Sequence, residues 1–303
     1  MLVLSSDDVI ARIDPQHGAE VLDLVDLHSR RQLLGRPPFG AEPPVPGDLD
    51  EDLWTAAWRG GWQGCLPNAG NPCDVNGTRH GFHGRASNDL WQVEEADAAL
   101  CVASWEGHGL RAERRIEAAG GGLGVTTRVT ALEDGTPMVA LEHLSLGLEL
   151  IEPGVEITLP AGRASELDEQ LGPALPPQDA PEWPEIALAG GARERGDRFQ
   201  LSETRARVYV VRDVSDGCAL VRNTGRDQAV EITWSADVLP HLIVWHEARG
   251  SGGVWRNATE VLCVEPCSVP HLLGLRAALD ADQALRLARG ESLGWTMSVR
   301  AVP

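Results

Sequence analysis

Residues 122–150 read GLGVTTRVTALEDGTPMVALEHLSLGLEL. In the first ten, Leu123, Val125 and Val129 alternate with Thr126, Arg128 and Thr130. That is the two-residue period of a strand with one buried face. Asp134-Gly135 marks a turn, and 138–150 is a second strand-like run. By alternation Glu142 and Leu144 share one face of that strand, and His143 lies with Leu141 and Ser145 on the other.

Similar runs recur on both sides of this stretch. They cover 2–12, 20–26, 99–106, 154–159, 206–213, 217–222, 228–234, 241–246, 260–265 and 294–301. Asp216-Gly217 and Asn223-Thr224-Gly225 supply further turn signals. Helical periodicity is confined to RAALDADQALRLAR at 276–289. Many short strands with close turns predict an all-β protein, a large antiparallel sandwich. Two Pro-rich stretches, 36–52 and 160–198, are expected as long excursions over the surface, and such loops are often functional. Neither a repeat nor a clear linker divides the chain, so residues 1–303 are expected to form a single domain.

Composition narrows the function. The formal net charge is −19, which repels a phosphate backbone, so no nucleic-acid partner is expected. All 26 basic residues are Arg. Without Lys there is no Schiff-base lysine and no Walker A phosphate loop. Apolar runs fall far short of about 18 residues, so no membrane span is expected. The opening MLVLSSDDVIARID lacks a basic n-region, which argues against a secretory signal. Six cysteines, none in a CxxC pair, read as mostly buried small apolar residues of a cytoplasmic protein.

The densest chemistry lies in 54–91, WTAAWRGGWQGCLPNAGNPCDVNGTRHGFHGRASNDLW. This segment holds four of the ten Trp, two of the nine His and three Arg among many glycines. Glycine lets backbone approach a ligand or take positive φ. Trp faces stack on the apolar face of a sugar, and Arg and His direct hydrogen bonds. Two further candidates stand apart: His143 in the strand run, and Glu265, which ends an apolar strand before Pro266. A carboxyl partly desolvated at a strand end has a raised pKa suited to proton transfer.

Taken in order, these segments resemble the aldose 1-epimerase (galactose mutarotase-like) superfamily. Arg59-Gly60-Gly61 with Leu66-Pro67 and Gly70 resembles its Arg-Gly-Gly…Pro…Gly segment. His80-Gly81-Phe82 and His83-Gly84-Arg85, followed by Trp91, resemble its His-Gly-Phe…Trp. Glu142-His143 with Leu146-Gly147 is similar to the strand bearing the second histidine. Leu239-Pro240 with Val244-Trp245-His246-Glu247 is similar to its Leu-Pro…Trp segment. Val264-Glu265-Pro266 resembles the strand ending in the catalytic Glu, and Arg289-Gly290-Glu291-Ser292 the turn before the last strand.

The resemblance spans about residues 50–300. It implies a β-supersandwich and interconversion of α and β sugar anomers through ring opening. Glu265 would be the general base and His143 the general acid. Both His80 and His83 match the first family histidine; His80 fits the letters and His83 the spacing to Trp91. Arg59, Arg85, Trp62, Trp245 and Glu247 would contact substrate. Neither metal nor organic cofactor is implied. The partner would be a small sugar, and the chain a monomer or homodimer. A phosphosugar would need an arginine cluster, which Arg59, Arg79 and Arg85 could supply. The competing class is a non-catalytic carbohydrate-binding protein of the same fold. It needs the Trp-rich loop but no paired acid and base.

Overall fold

A computed structural model describes residues 1–39, 45–168 and 171–302. Two large sheets face one another. The first runs, in spatial order, through Leu2–Ser5, Val9–Asp14, Glu20–Asp26, Trp62–Cys65, Leu141–Leu146, Glu260–Cys267, His241–Ala248, Arg205–Arg212, Arg163–Glu166, Glu185–Ala187 and Arg193–Arg195. The second runs through Arg198–Gln200, Gly154–Thr158, Cys218–Asn223, Ala229–Trp234, Ser292–Val302, Gly122–Ala131, Leu110–Ala119, Leu100–Gly107 and Gln92–Ala96. Neighbours pair antiparallel, except that Arg163–Glu166 and Glu185–Ala187 pair parallel. None of the described helices is long and apolar enough to cross a membrane.

The core between the sheets follows the two-residue period. Leu144, Leu146, Leu262, Val264, Leu242 and Val244 point inward from the first sheet. Ile116, Val125, Val129, Trp295, Met297 and Val299 meet them from the second. Fully burying each such side chain contributes about 1.5–3 kcal/mol. The alternate positions of the first sheet do not face water. Leu141, Ile243 and Cys267 join one outer apolar cluster. Val261 and Cys263 join another, with Trp54, Trp58 and Phe82. The central strand Leu141–Leu146 is therefore buried at every residue, because loops and short helices cover the face that an ordinary sandwich leaves wet.

Several expectations are corrected. The run 2–12 is a hairpin, broken where Ser6 Oγ accepts the backbone N–H groups of Asp8 and Val9. The helix expected over 276–289 ends early: Leu275–Asp280 is helical, Asp282 takes positive φ, and Leu285–Leu287 pairs with Thr136–Met138. The segment 160–198 is not a surface excursion alone. It supplies edge strands of the first sheet and buries Ala164 and Ile186 in the core. In the other Pro-rich stretch, residues 40–44 lie outside the described residues. Its end packs inward through Leu49 and starts a helix at Glu51–Ala57.

Candidate active site

The outer face of the first sheet carries a pocket, and the central strands form its floor. His143 stands on Leu141–Leu146 and Glu265 on the adjacent Glu260–Cys267. Trp245 adds a wall from His241–Ala248. All three sit at odd positions whose even neighbours face the inter-sheet core, so the pleat aims them outward. His143 Nε2 lies 3.8 Å from Glu265 Oε1, with both side chains buried. Burial pushes Glu265 up to about 8 and His143 down to about 4, since desolvation disfavours the charged form of each.

Loops complete the enclosure. Helix Glu51–Ala57 brings Trp54 to the pocket, and the 3₁₀ turn Gly253–Trp255 brings Trp255. Trp54 is held by its indole N–H donating to Ser87 Oγ at 3.0 Å. Its ring lies 4.6 Å from that of His83 and 5.8 Å from that of His143, centroid to centroid. Trp58, Trp245 and Trp255 pack edge to face or tilted at 5.1–5.9 Å.

His83 reaches the pocket through strained but well-braced backbone. It has φ 55°, and Gly84 follows at φ 73°. A Cβ on Gly84 would stand 2.2 Å from the Leu66 carbonyl oxygen, so only glycine fits there. Gly70, at φ 77°, donates its backbone N–H to His83 Nδ1 at 3.3 Å. That acceptor role leaves the ring proton on Nε2. The rings of His83 and His143 meet in a T at 5.3 Å.

The structure brings His83, His143, Trp245 and Glu265 around one pocket. It places the other sequence candidates elsewhere. Arg59 pairs with Asp14 at 2.7 Å and with Glu20 through one terminal nitrogen, outside the pocket wall. Trp62 points to the opposite face, where its indole donates to Glu142 at 2.8 Å. Arg85 pairs with Asp89 at 2.6 Å in a separate groove. His80 stacks on His108, whose Nε2 lies 3.2 Å from Asp48. Glu247 is buried behind the rim. It accepts from the backbone N–H groups of Gly250 and Ser251 and from the Ser251 hydroxyl at 2.6 Å, and so positions Ser251 at the pocket.

Sequence reasoning did not single out Trp255, Ser251 or Glu51 as site residues. The Gly-rich SGGVW at 251–255 was the available signal for the first two. Glu51 belongs to a helix that the Pro-rich reading hid.

No family profile and no curated protein matches this chain in sequence. Solved structures do match over its whole length. The Slr1438 protein from Synechocystis sp. PCC 6803 is 17% identical with a TM-score of 0.71, covering 99% of this chain and 94% of that one. A galactose mutarotase-like protein from Lactobacillus casei ATCC 334 is 14% identical with a TM-score of 0.67, covering 100% of each chain. The chain has the galactose mutarotase-like fold. A protein from Escherichia coli K12 with the provisional name aldose 1-epimerase is 15% identical with a TM-score of 0.68, covering 99% and 98%. The galactose mutarotase-like fold matches the antiparallel sandwich expected from strand pattern.

The two histidine candidates make a direct comparison. In a pocket that turns over a substrate, His83→Asn is expected to slow turnover by about 10²-fold, as loss of a positioned hydrogen-bond donor does. His80→Asn is expected to stay within a few-fold of wild type, because His80 packs on His108 instead. Equal losses in both variants would contradict this placement.

Proposed function

We propose that the protein is an aldose 1-epimerase-like isomerase that interconverts the anomers of an uncharged sugar. The observation that carries this reading is the buried His143–Glu265 pair, 3.8 Å apart on a floor walled by tryptophans. Anomer exchange moves protons on two oxygens bonded to one carbon, the C1 hydroxyl and the ring oxygen. One acid and one base side by side fit that demand. The Trp rings offer stacking for the apolar face of the sugar. The described residues of the pocket wall include no arginine, whereas Glu51 and Glu265 are both present. Arg79, the third arginine weighed for a phosphate, pairs with Asp50 and with Asp74 at 3.6 Å. This supports an uncharged substrate over a phosphosugar.

Glu265 takes the C1 hydroxyl proton while imidazolium His143 protonates the ring oxygen, and the C1–ring oxygen bond breaks. The pair is then neutral: carboxylic acid and imidazole. After rotation about C1–C2, the same protons return and the ring closes on the other face. The pair therefore holds one proton throughout and alternates between a charged and a neutral arrangement. Burial of both groups favours the neutral one, which is the partner of the open-chain aldehyde. His83, with its proton on Nε2, donates a hydrogen bond to a sugar oxygen.

The pH profile follows from that proton count. Activity needs one proton on the pair. It falls as His143 gains a second proton near pH 4, and as Glu265 loses its proton near pH 8. Anomer exchange read by NMR saturation transfer over pH 3–10 is expected to give a bell between those limbs; a flat profile through pH 8 would exclude Glu265. The same measurement over a panel of free aldoses and 6-phosphates tests the function. Acceleration on an uncharged sugar is expected. Binding without exchange on any sugar would favour a carbohydrate-binding protein.

A further inference from the structure

A third donor stands beside the acid–base pair and has no part in proton transfer. Ser145 and Cys263 face one another across the strand pair, and Cys263 and Glu265 are two apart on one face. The His143 imidazole, the Cys263 thiol and the Glu265 carboxyl each offer a ligand atom, and those three atoms lie within 4.8 Å of one another. All three residues are buried. Zinc bonds of about 2.0–2.3 Å to N, O and S place tetrahedral ligand atoms roughly 3.3–3.8 Å apart. Binding would draw the three ligand atoms together by about an ångström from their present spread.

Charge favours the ion as well. Thiolate and carboxylate together carry the −2 that one Zn²⁺ balances, with imidazole neutral. The described residues of the pocket wall include no arginine to oppose it. Ser145 Oγ lies 3.4 Å from Cys263 Sγ, where its hydroxyl can donate to a thiolate and brace it. Three protein ligands with a fourth position opening on the pocket make an open zinc site.

We propose that His143, Cys263 and Glu265 bind one Zn²⁺, and that the bound ion blocks the acid–base pair reversibly. The block rests on the isomerase reading; the site does not. On binding, the Cys263 thiol loses its proton to solvent, and bonds form from Sγ, Oε1 and His143 Nε2. Binding therefore releases protons.

Cobalt(II) is the probe, titrated into the chelator-treated full chain. One equivalent is expected to give a thiolate-to-cobalt charge-transfer band with tetrahedral d–d absorption, displaced by Zn²⁺. Calorimetry in buffers of different ionisation enthalpy is expected to show proton release on binding. Cys263→Ser is expected to abolish the band and weaken Zn²⁺ binding at least about 100-fold, more than loss of an outer partner costs. Cys218→Ser, on the other sheet, is expected to keep both. Glu265→Gln is expected to keep the thiolate band and weaken binding, which guards against a folding defect in Cys263→Ser. Absence of the band in wild type, or its survival in Cys263→Ser, overturns the proposal. A cobalt band in a chain whose metal-free form exchanges no anomers would leave the site standing and overturn the isomerase reading.

Discussion

Replacing Glu265 by Gln is expected to slow anomer exchange by about 10²–10⁴-fold, the range for a lost general acid–base group. The amide keeps the size and hydrogen-bonding shape of the carboxylic acid but cannot give or take the proton. Sugar binding, which draws on the Trp walls, is expected to survive. The loss therefore falls on kcat more than on KM. The high-pH limb near 8 should vanish with it, since that limb belongs to Glu265. Saturation transfer on wild type and variant, with binding followed by tryptophan fluorescence, checks both parts. A variant that keeps wild-type kcat removes Glu265 from the reaction.

The second large effect lies behind the floor, between the sheets. Glu142, the residue before His143, points into the core and collects four donors. They are the indole N–H groups of Trp62 and Trp295 at 2.8 Å, the Thr127 hydroxyl at 3.2 Å and the Arg114 guanidinium at 3.2 Å. Arg114 is fully buried and Glu142 nearly so. A Cβ on Gly64 would lie 1.7 Å from Arg114 Nη1, so the cleft for this guanidinium exists because residue 64 has no side chain. Arg114→Met is expected to cost about 3–5 kcal/mol of stability, because it strands a carboxylate in the core. Adding Glu142→Gln in the same chain is expected to recover much of that loss, since the unpaired charge is then gone. Urea unfolding of wild type, single and double variants measures this. A single-variant cost below about 1 kcal/mol would show that the pair contributes little.

Arg114 also explains a strand that pattern reading passed over. Leu110–Ala119 alternates well: residues 110, 112, 114, 116 and 118 point inward. The inward set is Leu, Ala, Arg, Ile, Ala, so a charge sits where periodicity looks for an apolar residue. What makes Arg114 a core residue is Glu142, which is far along the chain and on the opposite sheet. Helix Glu51–Ala57 was hidden for a related reason. It follows a Pro-rich stretch and its buried face is mostly Trp54 and Ala57, too short a pattern to stand out.

The site divides along the same line. His143 could be placed on a strand from local pattern, and alternation already set it opposite Glu142. Glu265 was expected at a strand end, but its strand runs on through Pro266 to Cys267, so it lies on the pocket floor. Five other candidates carried suitable chemistry but are held by partners that no local pattern names. Arg59 is held by Asp14 and Glu20, Arg85 by Asp89, and Trp62 by Glu142. His80 is held by His108, and Glu247 by the turn at Gly250 and Ser251. Between His80 and His83 letters and spacing disagreed. The structure puts His83 at the pocket, because Gly70 and Gly84 permit a backbone path that turns its ring inward.

The sequence by itself determined the all-β class, the side on which each central strand residue faces relative to its neighbours, and the residue types available for proton transfer. These follow from the two-residue period of extended backbone, a property of adjacent residues alone. Only the tertiary structure decided that both faces of the first sheet are covered, which arginines are neutralised, and which histidine reaches the pocket. Those outcomes depend on strand register and on charges contributed from distant segments. Burial then sets the pKa of Glu265 and His143 through the water that those segments exclude.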